Sequence, residues 1–107
     1  MDFSRVGSVA ELRSLCEEGR LFEILLFPEE FGGLHAPSNV AYVPRGIPEA
    51  RETVLGTLVR LRREGAIDEL DVTPEYKGGS LVPSKITMRA WHSGNGGGEL
   101  RVSLDIW

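Results

Sequence analysis

Apolar positions recur at helical spacing over residues 48–64, PEARETVLGTLVRLRRE, the longest such stretch in the chain. Val54, Leu55, Leu58 and Leu61 lie three and four apart, so they share one face of a helix. Pro48 suits the first helical position, where its missing N–H costs no hydrogen bond. Glu49 and Glu52 fall near the positive end of the helix dipole, and Arg60, Arg62 and Arg63 near the negative end. Gly65 follows as a left-handed stop. A shorter helix is predicted over residues 9–18. Ser8 and Glu11 have capping-box spacing, and Gly19 ends the run. Val9, Leu12 and either Leu15 or Cys16 would form its apolar stripe.

Elsewhere the period changes to two. Residues 21–27, LFEILLF, are apolar at both parities and precede Pro28. They predict a strand covered on both faces or central in its sheet, open at one end where Glu23 stands. Residues 39–43 predict a short strand before Pro44. Leu70 and Val72 alternate with acids, which predicts an edge strand ended by Pro74. Residues 28–38, PEEFGGLHAPS, read as a loop that carries Phe31, Leu34 and His35.

The C-terminal third alternates most strictly. Ile86, Met88 and Ala90 share one face of residues 85–92, and Leu100, Val102, Leu104 and Ile106 share one face of residues 100–107. The run SGNGGG joins them as a hairpin. Its apolar face is expected to pack on the central helix. Its other face would carry Thr87, Arg89, Trp91, Arg101, Ser103, Asp105 and Trp107. Like charges directly opposite one another repel. The register that avoids this pairs Trp91 with Arg101, Arg89 with Ser103 and Thr87 with Asp105, laying Arg101 on the Trp91 indole.

These elements specify an α+β fold in a single domain, residues 1–107. A mainly antiparallel sheet of four to five strands packs against the 48–64 helix, with the 9–18 helix beside it and the hairpin 85–92/100–107 at the end.

Composition narrows the function. Hydrophobic residues make up 41% and charged residues 26%, as in globular chains. The formal net charge of −4 weighs against nucleic acid as a partner. No apolar run approaches the roughly 20 residues of a membrane helix. The start MDFSRVGS lacks a secretion pattern, and the one cysteine, Cys16, has no internal partner, so a cytoplasmic location is expected. Cys16, His35 and His92 show no metal-ligand spacing, and no metal, cofactor or catalytic residue is assigned. The glycine run precedes a strand instead of a helix, unlike a phosphate loop.

Two clusters remain as candidate partner-binding sites. Trp91, Trp107, Arg89 and Arg101 are residue types enriched in interaction hot spots. Asp68, Glu69 and Asp71, with Glu75, form an acidic patch suited to a basic partner. In size, acidity, a single cysteine and the lack of a catalytic signature, the chain resembles small bacterial partner-binding proteins such as immunity proteins that neutralise a toxin. That resemblance, one of composition, implies a non-enzymatic protein-binding module acting by occlusion. Self-association through the hairpin is a further option. The alternative is a small enzyme or ligand-binding domain with a pocket near the 28–38 loop, using His35 or His92 as general base.

Overall fold

Helix starts and stops fall where the sequence supplies caps. A computed structural model describes residues 3–94 and 98–107. The middle of the expected glycine connection, residues 95–97, lies outside them. Helix α1 (Val9–Glu17) is capped by Ser8, whose Oγ accepts from the Glu11 N–H at 3.2 Å. Only half of the capping box forms, because the Glu11 carboxylate takes the Ser8 hydroxyl and not the Ser8 backbone N–H. Leu12 is the buried residue of α1. Val9, expected on the apolar stripe, is instead 64% exposed, since it sits on the first turn beyond the reach of the core. Helix α2 (Ile47–Arg63) begins one residue earlier than expected, after an N-cap at Gly46 with φ 93°, and keeps Pro48 in its first turn. Gly65 ends it in the left-handed region, at φ 79°.

The strands are β1 (Leu21–Leu25), β2 (Val40–Pro44), β3 (Glu69–Glu75), β4 (Lys85–Trp91) and β5 (Leu100–Asp105). All pairing is antiparallel, but it is divided between two sheets, β1–β2 and β3–β4–β5. The α+β class holds, while the expected continuous sheet does not. Strand β1 is therefore an edge strand and not a central one. Its apolar residues of both parities have separate uses. Ile24, with Ala41 and Val43, packs on Ile86 of the second sheet. Leu21 faces the other way, into a cluster with Phe3, Val6, Leu12 and Val82. Leu26 and Phe27 lie beyond the strand and join the clusters around Ile24 and Leu55.

Helix α2 covers the inner face of the three-stranded sheet, as the periodicity implies. Leu55 and Leu58 pack with Ile67, Leu70, Met88 and Ala90. Strand β3 continues through Pro74 instead of stopping there. It is an edge strand, where a missing N–H is tolerated.

The hairpin register differs from expectation. Arg89 stands opposite Arg101, Thr87 opposite Ser103, and Lys85 opposite Asp105. The repulsion that argued against this pairing is relieved by Glu99, just before β5. One Glu99 oxygen lies 3.5 Å from Arg89 and the other 3.0 Å from Arg101. The cation resting on the Trp91 indole is accordingly Arg89, at 5.4 Å, and not Arg101.

The long loop is tied down at both ends. The Asn39 side chain accepts from the Phe27 N–H at 2.7 Å and donates to the Phe27 and Leu34 carbonyls. Gly33 passes so close to the Phe27 carbonyl that an added Cβ would lie 1.9 Å from its oxygen. Arg51 is a buried charge that no sequence pattern marks. It is 8% exposed and donates to the Leu25 carbonyl at 2.6 Å. Burial pushes its guanidinium below the usual value, against the opposing pull of Glu52 and Glu30. Among the described residues, no helix is long and apolar enough to cross a membrane.

Candidate binding surfaces

Alternation along β3, β4 and β5 turns one set of side chains away from α2. Glu69 lies beside Trp91, Asp71 beside Arg89 and Arg101, Thr73 beside Thr87 and Ser103, and Glu75 beside Lys85 and Asp105. On the two outer strands Glu69, Thr73, Glu75, Arg101, Ser103 and Asp105 are exposed, and the central strand is half-buried between them. Neither α1 nor the 28–38 loop covers this face, so the sheet is open on one side.

Arg89 is the centre of that face. Its Nε is 3.7 Å from Asp71, its Nη1 is 3.5 Å from Glu99, and its guanidinium lies over Trp91. Thr87 and Ser103 share a hydroxyl hydrogen bond at 3.2 Å, and Lys85 is 3.9 Å from Asp105. Trp91, Arg89, Arg101, Glu69 and Asp71, all singled out by sequence, thus meet on one surface. Glu99, which ties the two arginines together, carries no sequence signal because it precedes the alternating stretch.

The other two candidates sit apart from this surface. Asp68, just before β3, accepts from the Ser93 N–H at 2.8 Å and from the Ser93 hydroxyl at 2.6 Å. Those bonds, helped by His92 at 3.9 Å, hold its carboxyl below the usual range. Asp68 fastens the hairpin turn. Trp107 lies past Asp105, at the end of β4 opposite Trp91. The six-residue rise from Lys85 to Trp91 alone is roughly 20 Å, and Trp107 lies beyond it. The Trp107 Nε1 donates to the Val82 carbonyl at 3.0 Å, its ring packs in the Leu21 cluster, and Lys77 lies over it at 5.2 Å.

A second surface adjoins α1. This helix covers only the Leu21 end of the β1–β2 sheet and leaves a groove of about 470 Å³ beside it. One wall is the α1 face of Val9, Leu12, Arg13 and Cys16, three and four apart as a helix face requires. Val40 and Tyr42 form the floor, and His35 and Pro37 the far wall. At the rim His35 Nε2 lies 2.5 Å from Glu23 Oε1, and the two side chains are 71% and 44% exposed. The Cys16 thiol is pushed up by burial and by the carboxylates of Glu23 and Glu17, which disfavours the thiolate that nucleophilic chemistry needs. His92 is remote from this groove. Its Nδ1 accepts from the Gly94 N–H in the hairpin turn. Among the described residues, no group of His, Cys, Asp and Glu could hold a metal ion.

Comparison with protein families, curated proteins and solved structures gave no match.

Proposed function

We propose that this chain is a non-enzymatic protein-binding module, of the immunity or inhibitor kind, that occludes a basic partner with the outer face of β3–β4–β5. The observation that carries this reading is the uncovered sheet face on which Trp91 and Arg89 are ringed by Glu69, Asp71 and Glu99. An aromatic anchor with an acidic surround fits a cationic protein surface, where charge steers encounter and the indole supplies contact area. The lone Cys16 supports a cytoplasmic setting.

The test is affinity capture from cells that make the protein, run in parallel with Trp91→Ala and Asp71→Lys. A basic protein retained by the parent and lost from both variants, with melting temperatures kept, supports the reading. Equal retention by all three, or no retained protein, rejects it.

A second reading rests on the groove beside α1. Its apolar lining and the His35–Glu23 pair at its mouth suit a small ligand with an apolar body. An apolar dye that fluoresces equally with the parent and with Leu12→Glu or Val40→Glu would rule that out.

A further inference from the structure

The free edge of β1 borders a second cleft, and the geometry points to a docking site for an extended, basic segment of a partner protein. We infer that such a segment adds to β1 as an antiparallel strand, with lysine or arginine side chains set among Glu29, Glu30 and Glu52. This site is separate from the outer face of the three-stranded sheet and goes beyond the function proposed above.

The backbone gives the first support. Among the described residues, strand β1 has β2 on one side and no strand on the other. Leu26 donates to Asn39 in the continuation of the β1–β2 register, so the even-numbered residues of β1 exchange bonds with β2. Antiparallel alternation then turns the N–H and C=O of Leu21, Glu23 and Leu25 outward. Arg51 bears this out, because its Nη2 reaches the Leu25 carbonyl from that side. It also closes that end of the edge, which leaves Glu23 as the residue best placed to exchange a pair of bonds with an added strand.

The second support is the shape beside the edge. A cleft of about 330 Å³ runs between Glu23, Ile24 and Leu25 on β1 and Pro48, Arg51 and Glu52 on α2. An exposed strand edge can take an added strand, main-chain bonds giving affinity and flanking side chains giving choice.

Charge supplies the third. Glu29 and Glu30, on the turn after β1, and Glu52 on α2 set three carboxylates along the cleft against one guanidinium, while the Glu23 carboxylate is turned to His35. That guanidinium, of Arg51, is spent on Leu25 and on Glu52 at 3.8 Å. A second copy of this chain is a poor occupant. Antiparallel pairing of two β1 edges about Glu23 would set Glu23 directly against Glu23, and like charges there destabilise a ladder.

The test uses the hexapeptide acetyl-Lys-Val-Lys-Val-Lys-Val-amide and the isotope-labelled full chain. The expected result is saturable binding with the largest amide shifts at Leu21, Glu23 and Leu25. The triple change Glu29→Gln, Glu30→Gln and Glu52→Gln should weaken binding by about tenfold while the melting temperature holds. In an antiparallel pair the ligand residue opposite Glu23 exchanges both bonds with it, so N-methylation of the lysines should abolish binding. Several results overturn the proposal: no binding at millimolar peptide, undiminished binding of the N-methylated peptide, shifts centred on Asp71 and Arg89, or a chain that dimerises through Glu23 in sedimentation.

Discussion

Helices α1 and α2 each lie against a sheet, but they cover unequal parts of it. The 17 residues of α2 bring Leu55 and Leu58 to 1% exposure each and close the inner face of β3–β4–β5. The nine residues of α1 bury Leu12 alone and leave Val9 largely in solvent. Helix length thus decides where surface is left over. A long helix seals one side of its sheet and leaves the opposite face flat and open. A short one seals part of its sheet and leaves a groove beside it and a bare edge beyond. The flat face presents side chains, and the edge presents backbone.

The contrast is most severely tested in the two cores. Leu58→Ala should cost about 3 kcal/mol, because that side chain is 1% exposed within the central cluster and little can collapse into the gap. Leu12→Ala should cost about 2 kcal/mol, since an open groove lies alongside and relaxation is easier. Urea unfolding of both variants measures the difference. A larger loss at Leu12 would break the comparison. Hydrogen exchange sharpens it, with α1 and β1 loosened by Leu12→Ala and β3–β5 unaffected.

On the open face the expected effects are smaller. Glu99→Gln leaves Arg89 and Arg101 opposed without their shared carboxylate, at a cost of about 0.5–1 kcal/mol. These groups are partly exposed, so 1 M salt should remove most of that difference. A loss that survives high salt would mean the two arginines are not held apart by charge.

The smallest effect concerns Asp68. Its folded carboxyl is held low by Ser93, so its contribution to stability is present above the unfolded value of about 3.9 and is lost as pH falls through the lower folded value. Stability curves of the parent and of Asp68→Asn should run parallel near neutrality and converge in acid. Curves that diverge in acid would contradict this assignment.

Much of this arrangement is written locally in the chain. The α2 stripe of Leu55, Leu58 and Leu61 and the alternation of Ile86, Met88 and Ala90 are short-range periods, and each element formed within a residue or two of its expected bounds. The division into two sheets is not local. LFEILLF reads as doubly buried whether its faces meet one sheet and a helix or two helices, and only the tertiary contacts of Ile24 and Leu21 decide. The hairpin register is not local for a related reason. Pairwise repulsion of Arg89 and Arg101 opposes it within the ladder, and Glu99 reaches both from outside the ladder. Of the candidate site, Trp91, Arg89, Arg101, Glu69 and Asp71 were legible as one face by parity. Trp107 shares their parity but lies apart from them, because parity says nothing about the end of the strand at which a side chain falls.

The central claim is that the face around Trp91 is where a partner docks. Trp107→Phe leaves Trp91 as the sole tryptophan of the chain. Acrylamide quenching of its fluorescence, measured on the free protein and again with the captured basic partner bound, reports directly on that surface. The account predicts that quenching falls sharply in the complex and that the emission shifts to the blue. Unchanged quenching with the partner demonstrably bound would contradict it.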